Sequence, residues 1–351
     1  MGHPSTEQLL AWYDVERRIL PWREDPTPYH VWLSEIMLQQ TRVEAVKEYY
    51  ARFLSRLPDI PALAAAEEDT LLKLWEGLGY YSRIRNMHKA ALVVVEQYGG
   101  ELPSTAAELV KLPGIGEYTS KAIASIAFGE AVSSVDGNLL RVFSRRTCYP
   151  KNVKTPEAKR DAEAYFLERI PEDRPGDYNQ ALMDLGATIC LPNGEPLCDR
   201  CPWQEICQSH AAGTELDFPV VPPKPGRKAE THTILLVRDE TRILLTRRPD
   251  KGLLAGLYEF LNFDEKWSRK KATEYAESLG LTITSVQSLP SAKHIFSHKE
   301  WHMTGFEIRV DSLDSVSSEP GTPGTPFAAS LSEVETMYSI PSAFSAFTRR
   351  L

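Results

Sequence analysis

The sequence predicts a mostly helical domain followed by a smaller α+β domain. Through residues 7–207, apolar residues recur at spacings of three and four, in segments of helical length that proline, glycine or aspartate separates. Beyond residue 231, β-rich runs appear. Residues 216–230 contain four prolines beside lysine and arginine, a composition typical of a stiff linker. We therefore expect domains at 1–215 and 231–351, joined by a linker at 216–230.

Length and composition agree with two domains. A chain of 351 residues exceeds the size of one ordinary core, and an apolar content of 42% is enough to fill two. The longest apolar runs are far shorter than the roughly 18 residues that a membrane helix needs. We therefore expect no membrane partner, a monomer, and a cytoplasmic location that would be nucleoid-associated in a bacterium.

The second domain alternates between strand and helix signals. Two β-rich runs at 231–237 and 242–246 suggest a hairpin closed by residues 238–241. Helical periodicity returns at 267–279, and strand character at 281–286 and 301–310. Residues 312–326 are rich in serine, proline and glycine, as in a loop.

Net charge gives only weak evidence on whether the partner is a nucleic acid. The formal charge of −8 speaks against a polyanion, because affinity for a nucleic-acid backbone comes from lysine and arginine. Local placement matters more than the total. One stretch of the chain is locally basic, and it would either contact a DNA backbone or form an ordinary solvated face. Its members are Arg141, Arg145, Arg146, Lys151, Lys154, Lys159 and Arg160.

Four of the five cysteines lie close together, at Cys190, Cys198, Cys201 and Cys207. Four thiolates at such short separations can surround one metal centre, and a chain without a secretory signal has little use for disulfides. Their spacing alone fits tetrahedral zinc as well as an iron–sulfur cluster. Cys148 stands apart, and we interpret it as a free core thiol.

A glycine-rich turn, LPGIG at 112–116, lies between two helical stretches. The backbone N–H groups at such a helix start, together with the helix dipole, can hold a phosphate. Gly114 and Gly116 are thus candidate contacts to a DNA backbone. A tight turn with only a structural role is the alternative.

Three motifs in fixed order now support a resemblance: VWLSEIMLQQT at 31–41, the LPGIG turn with VDGN at 135–138, and the four cysteines. Together with LPWR at 20–23 and GLGYYSR at 77–83, they make the chain resemble adenine DNA glycosylases of the MutY family, in the helix-hairpin-helix superfamily. The resemblance implies a helical glycosylase domain in which the four cysteines hold a 4Fe-4S cluster. The first cysteine gap is seven residues, one longer than the family's six, which lengthens that loop.

Two carboxyl groups fit the chemistry that the resemblance implies. Breaking an N-glycosidic bond needs an acid for the departing base and an anion for the cationic sugar. Helix neighbours three and four positions from Glu35 are mostly apolar, and such burial raises a carboxyl pKa. Glu35 is therefore the candidate acid, which the family places at N7 of adenine, and Asp136 is the candidate anion. The alternatives are an ordinary helical glutamate and a turn aspartate.

The family resemblance also assigns roles around this pair. Strand-nicking relatives carry a lysine two residues after the second glycine of the turn, where this chain has Tyr118, so we expect base excision without efficient strand cleavage. Arg23, Tyr118 and Asn138 would contribute to the pocket, Tyr118 and Asn138 as catalytic residues and Arg23 as a DNA-binding residue. Gln40 and Tyr80 would fill the gap that a flipped base leaves. Each of these residues is equally compatible with a core or surface position in a helical domain.

From residue 231 onward the chain resembles the Nudix-like module of adenine glycosylases, through GLLAGLYEF at 252–260. The glutamate pattern that binds magnesium in active Nudix enzymes is missing from 264–281, so we predict no pyrophosphate hydrolysis. Phe296, Ser297 and His298 match the family element that senses 8-oxoguanine, where hydroxyl and imidazole groups can address a base edge. A core phenylalanine and a solvated loop histidine are the alternative.

The sequence therefore predicts a monofunctional glycosylase that removes adenine opposite 8-oxoguanine or guanine in double-stranded DNA. One rival is a thymine mismatch glycosylase of the same superfamily. The other is a non-catalytic iron–sulfur protein that binds DNA, against which the presence of both Glu35 and Asp136 speaks.

Overall fold

The computed structural model describes residues 3–223 and 226–351. The chain separates into two compact units, Met1–Ala65 with Arg85–Pro223 and Ala66–Ile84 with Lys224–Leu351. The second unit therefore contains two separate stretches of sequence. The expected linker at 216–230 includes Lys224 and Pro225, which lie outside the described residues. None of the described helices combines the length and apolar character needed to cross a bilayer.

Sixteen α-helices lie in the described residues, and the first unit is built almost entirely from them. In chain order they are α1 (Pro4–Glu16), α2 (Pro21–Glu24), α3 (Pro28–Leu38), α4 (Val43–Arg56), α5 (Ile60–Ala65), α6 (Glu68–Leu74), α7 (Ser82–Tyr98), α8 (Ala106–Leu109), α9 (Glu117–Phe128), α10 (Gly137–Thr147), α11 (Pro156–Leu167), α12 (Pro175–Thr188), α13 (Gln208–Ala212), α14 (Arg269–Ser278), α15 (Leu331–Thr336) and α16 (Ser345–Thr348).

Three of these helices carry the predicted catalytic residues, and each start has a local cause. α3 begins with a proline after Thr27, whose side chain accepts a hydrogen bond from the His30 N–H. α9 begins after Gly116 and ends at Gly129, which adopts the left-handed conformation common at helix ends. α10 begins after Asp136, which caps it. α3 packs against α9, while α12 packs against α1, α9 and α10.

The second unit contains one six-stranded sheet with the strand order β4-β5-β1-β3-β2-β6. β1 pairs in parallel with β5, and the other pairs are antiparallel. The strands are β1 (Lys228–Arg238), β2 (Arg242–Arg247), β3 (Tyr258–Phe263), β4 (Ile283–Ile295), β5 (Lys299–Val310) and β6 (Phe327–Ser330).

Both faces of the sheet are covered, as the unbroken apolar run in β1 indicates. Ile234 and Leu236 point into a core that includes Phe344, whereas Leu235 and Val237 point into a second core on the opposite face. Alternate residues of one strand thus supply two cores.

The sequence predictions for this unit are confirmed in part. The helix expected at 267–279 is α14, and the strands expected at 281–286 and 301–310 lie largely in β4 and β5. β3 and β6 were not predicted. The expected hairpin is also incomplete, because β3 lies between β1 and β2 and these two strands pair only at Arg238 and Ile243.

Candidate active site and cysteine site

Glu35 lies within α3 in a mostly apolar environment, and it is only 7% exposed. Burial raises the pKa of the Glu35 carboxyl to about 7, and the charge of Asp136 adds to the rise. A hydrogen bond from Tyr118 and the charge of Arg23 act in the opposite direction. The carboxyl therefore holds a proton at mildly acidic to neutral pH that it can donate.

Asp136 is the N-cap residue of α10. Its Oδ1 accepts a hydrogen bond from the Leu139 N–H at 2.8 Å, and its Oδ2 accepts one from Asn138 Nδ2 at 3.0 Å. Burial raises the pKa of the Asp136 carboxyl above its ordinary value, and these hydrogen bonds together with the charge of Arg141 offset part of that rise. A helix N-terminus favours a negative charge. Asp136 is therefore better suited than Glu35 to carry the negative charge.

Tyr118, in the first turn of α9, connects this helix to Glu35. Its hydroxyl hydrogen-bonds the Glu35 carboxyl and also lies 3.8 Å from the Met183 sulfur. The hydroxyl donates to one acceptor at a time, and the carboxyl is the stronger acceptor because a thioether sulfur accepts weakly. Gln39 Nε2 donates to Thr119 Oγ1 at 3.4 Å, which adds a second link between α3 and α9.

A chain of hydrogen bonds leads from Asp136 to the cysteine loop. Asn138, which donates to Asp136, accepts a hydrogen bond at its Oδ1 from Arg141 Nη2 at 3.1 Å. Arg141 also donates to the Gly186 carbonyl at 2.8 Å and, through Nε, to the Cys190 carbonyl at 2.9 Å. One turn of α10 thus ties the position of Asp136 to that of the first cysteine.

The four clustered cysteines line one small cavity together with Arg145. All four are free thiols, and Arg145 Nη1 lies 3.4 Å from the Cys190 sulfur. Burial raises the pKa of Cys198 to about 11 and that of Cys201 to about 12, and the charges of the other thiolates contribute. Four thiolates here need a cation to offset their repulsion, so the donor set fits a metal centre.

A second donor set overlaps the first. Ligand atoms of Cys198, His210 and Glu215 all lie within 4.8 Å of one another. His210 Nδ1 lies 2.6 Å from Glu215 Oε1. Mixed sulfur, nitrogen and oxygen donors suit a single zinc ion, whereas four sulfurs suit either zinc or an iron–sulfur cluster.

Arg23, predicted as a DNA-binding residue, is held by a buried carboxylate. Its guanidinium donates to both oxygens of Asp184, at 2.8 Å and 2.9 Å. Arg18 binds the same carboxylate, whose side chain is 1% exposed. The salt bridge to Asp184 places the positive charge of Arg23 near Glu35. A contact from Arg23 to DNA stays a prediction.

The glycine turn has the geometry that its sequence requires. Gly114 has a φ of +77°, and an added Cβ would lie 2.5 Å from the Cβ of Asn86, so only glycine fits. Gly116 caps α9 and is exposed, which leaves the first turn of this helix near the surface.

Both predicted wedge residues have an unusual backbone. Gln40 has a φ of 56° and Tyr80 a φ of 49°, values that non-glycine residues rarely adopt. Both are exposed, and the Tyr80 side chain remains 46% accessible. Strain of this kind concentrates at functional sites.

Residues 296–299 form the tight turn between β4 and β5. The Phe296 N–H donates to the Lys299 carbonyl at 2.8 Å, and the Phe296 ring packs on Trp301 at 4.9 Å between centroids. Ser297 and His298 are exposed at the tip, with Ser297 Oγ 3.3 Å from His298 Nδ1. One side chain anchors the turn while two face solvent.

The basic stretch after Asp136 does not form one solvated face. Arg141 and Arg145 are 6% and 4% exposed and donate to backbone carbonyls around the cysteines. Arg146 donates to another carbonyl of the same loop. Lys151 and Lys159 pair with acidic side chains. Arg141 and Arg145 are four residues apart and therefore lie on the same face of α10. This spacing could have indicated a shared buried face, which the number of charges alone does not indicate.

Comparison with known proteins identifies the family. The profile of the HhH-GPD superfamily base excision DNA repair proteins matches residues 33–171, and that of the NUDIX domain matches residues 232–347. The adenine DNA glycosylase of Buchnera aphidicola subsp. Schizaphis graminum is 32% identical over 302 residues, which cover 85% of each chain. This chain belongs to the adenine DNA glycosylase family. The predicted resemblance is thereby confirmed.

Other relatives of the family are longer. The adenine DNA glycosylase of Homo sapiens is 36% identical over 350 residues, which cover 83% of this chain but only 64% of the human protein. Among solved structures, that of a thermostable thymine-DNA glycosylase is 27% identical with a TM-score of 0.54, and covers 59% of this chain and 95% of its own. A non-covalent endonuclease III–DNA complex, with 22% identity and a TM-score of 0.51, covers 59% of this chain and 94% of its own and shows a shared fold. The predicted helix-hairpin-helix fold and Nudix-like α+β domain are confirmed.

Proposed function

We propose that this protein hydrolyses the N-glycosidic bond of adenine opposite 8-oxoguanine or guanine in double-stranded DNA. The observation that carries this proposal is the pairing of a protonated carboxyl with a capped carboxylate: burial raises the Glu35 pKa to about 7, while helix-cap bonds favour the anion at Asp136. Such a pair supplies the acid and the anion that glycoside cleavage requires.

The mechanism divides the work between these two groups. Glu35 donates its proton to the departing base, and the electrons of the broken C1′–N9 bond leave with adenine. The Asp136 carboxylate stabilises the positive charge that develops on the sugar. Water then supplies a hydroxyl to C1′, and its remaining proton restores Glu35. Tyr118 holds the acid in place through its hydrogen bond.

We further propose that the protein does not nick the strand efficiently. The position where nicking relatives carry a nucleophilic lysine is Tyr118. The nearest lysine along α9 is Lys121, whose Nζ lies 2.8 Å from Glu163 Oε1. An amine held in an ion pair is a poor nucleophile.

For the base opposite adenine, we propose the turn formed by Phe296, Ser297 and His298. Its exposed hydroxyl and imidazole can hydrogen-bond the edge of 8-oxoguanine, and the packing of Phe296 on Trp301 holds the turn rigid. Rigid placement of few polar groups is what discrimination between similar bases requires.

The direct test is single-turnover base release from duplexes with adenine opposite 8-oxoguanine, adenine opposite guanine, and thymine opposite guanine. We expect release of adenine, fastest opposite 8-oxoguanine, with little strand scission until alkali is added. Release of thymine with adenine untouched would contradict the proposal and favour the thymine glycosylase.

As the cofactor we propose a 4Fe-4S cluster held by Cys190, Cys198, Cys201 and Cys207. When bound, the cluster would join the two ends of the cysteine loop and neutralise its thiolates. Support comes from the four free sulfurs on one cavity and from the Arg145 hydrogen bond to Cys190.

Purified protein should be brown and contain about four irons per chain. Cys201→Ser should lose iron and expose the loop to proteolysis, whereas the matched variant Cys148→Ser should keep both iron and protease resistance. A colourless protein with one zinc ion would contradict the cluster and favour a zinc site, held either by the four sulfurs or by the mixed donor set.

A further inference from the structure

The stretch that carries Tyr80 is fixed within the second unit. Residues 66–84 group with the six-stranded sheet, although they lie inside the match to the HhH-GPD superfamily. α6 begins this stretch, and the loop with Tyr80 follows it. The contacts that hold α6 therefore also determine where Tyr80 is presented.

Lys73 and Glu76 make the polar contacts at the end of α6. Lys73 Nζ donates to the carbonyls of Val334 at 3.2 Å and Tyr338 at 3.3 Å. Glu76 Oε1 accepts a hydrogen bond from the Ile340 N–H at 2.8 Å. The two side chains also form an ion pair at 2.7 Å, with exposures of 21% and 29%. Partial burial strengthens these charge-assisted bonds.

Further contacts tie α6 to the sheet itself. Ser339 Oγ donates to the Leu72 carbonyl at 3.2 Å, and the Ser339 carbonyl accepts a hydrogen bond from the Tyr258 N–H at 3.1 Å. The Tyr258 hydroxyl lies 3.5 Å from Asp69 Oδ2. Tyr258, the first residue of β3, thus contacts the start of α6 directly at Asp69, and Ser339 links it to Leu72 in the second half of the helix.

In the loop after α6, backbone carbonyls accept hydrogen bonds from two buried side chains that flank the loop. Trp75, which is fully buried, donates from Nε1 to the Gly79 carbonyl at 3.1 Å. The buried Arg83 guanidinium donates to the carbonyls of Leu78, Gly79 and Tyr80 at 3.1, 3.0 and 3.4 Å. Hydrogen bonds therefore connect β3 through α6 and Trp75 to the Gly79 carbonyl, and Arg83, at the start of α7, holds the Tyr80 carbonyl.

We propose that Lys73 and Glu76 are positioning residues that fix the Tyr80 loop to the unit carrying the 296–298 turn, so that both DNA contacts belong to one rigid element. This inference rests on the proposed function. Its consequence is that recognition of the opposite base by the turn also places the tyrosine wedge. Loss of the anchor should then reduce the preference for 8-oxoguanine more than it reduces adenine release itself.

The test combines a DNA-free measurement with a kinetic one. Lys73→Met should speed amide hydrogen exchange at residues 75–83, and it should lower the ratio of adenine release rates, opposite 8-oxoguanine over opposite guanine, by about tenfold. Lys73→Arg, which keeps charge and reach, should restore most of the ratio. Glu76→Gln, which keeps an acceptor for Ile340, should give a smaller drop.

Lys47→Met is the matched control, because Lys47 forms an ion pair with Glu44 at the same helical spacing on α4, at 2.9 Å. It should leave both measurements unchanged. Unchanged exchange in Lys73→Met, or faster exchange with an unchanged rate ratio, would overturn the inference. A wild-type protein that releases no adenine would instead refute the proposed function, and the exchange measurement alone would then decide whether Lys73 anchors the loop.

Discussion

The middle of α3 and the start of α10 each hold a buried carboxyl group, yet their hydrogen-bond surroundings suit them to different roles. Glu35 is surrounded by apolar helix neighbours, and burial raises its pKa to about 7. Asp136 is also crowded by protein, but a helix start and two donors to its oxygens favour the anion. Burial raises the pKa of both carboxyl groups, so what distinguishes the candidate anion is the set of hydrogen-bond donors at the start of α10.

The largest effect is expected when the charge of either carboxyl group is removed and the shape of its side chain is kept. Glu35→Gln should lower the single-turnover rate of adenine release by about 1,000-fold or more, since no acid then protonates the base. Asp136→Asn should do the same, because the sugar cation loses its counter-charge. The asparagine side chain still accepts the Leu139 N–H, so α10 keeps its cap.

Circular dichroism and duplex affinity should therefore be close to wild type in both variants. Release at more than a tenth of the wild-type rate in either one would remove that carboxyl from its role. Unfolding of Asp136→Asn would show that the carboxylate itself is needed for the fold, and would contradict the expectation that asparagine preserves the start of α10.

A second test breaks the support of Asp136. Arg141→Met removes the donor to Asn138 and to the Cys190 carbonyl, so Asp136 loses an ordered partner. We expect about a tenfold slower release with little change in duplex affinity. Arg146→Met, on the same helix and against the same loop, is the matched control and should retain the rate. Equal losses in both variants would indicate general damage to the loop.

A third test uses stability. The folded pKa of Glu35, about 7, exceeds its unfolded value, so the folded state binds the extra proton. Unfolding free energy should therefore fall as pH rises from roughly 4.5 to 7, by up to about 3 kcal/mol for this group. Glu35→Gln should flatten that fall and be the more stable protein at pH 8. Urea titrations of both proteins across this range measure the difference, and parallel curves would contradict it.

The smallest expected effect concerns Tyr118. Its hydrogen bond lowers the pKa of Glu35, so Tyr118→Phe should raise that pKa further. The alkaline limb of the rate profile should then move to higher pH, with a rate loss of less than about tenfold at neutral pH. A shift to lower pH would show that the hydroxyl does not donate to the carboxyl.

Much of this architecture follows from sequence patterns. Helical spacing predicts the first unit, and the unbroken apolar run of β1 predicts a buried strand. β3 and β6 were not predicted: β3 begins inside the 252–260 segment, whose residues indicate the family and not a strand, and β6 is only four residues long. Strand pairing is a long-range property, so the insertion of β3 between β1 and β2 has no local signal.

In the candidate site, too, local features could be predicted from the sequence and long-range contacts could not. Burial around Glu35 could be predicted because helix neighbours are fixed by spacing. The links from Arg141 to the cysteine loop, and from Lys73 to residues 334 and 338, join positions far apart in sequence. In the sequence, an arginine or lysine at such a position looks like a surface residue. Only the folded structure shows that backbone carbonyls from distant segments accept its hydrogen bonds.

The different roles of Glu35 and Asp136 can be measured by titrating the two carboxyl groups themselves. In protein labelled with ¹³C at glutamate and aspartate carboxyls, signals assigned by loss in Glu35→Gln and Asp136→Asn can be followed against pH. We predict that Glu35 titrates near pH 7 while Asp136 stays ionised through the neutral range. A Glu35 midpoint below about 5, near the ordinary value for glutamate, would show that Glu35 holds no proton to donate at neutral pH.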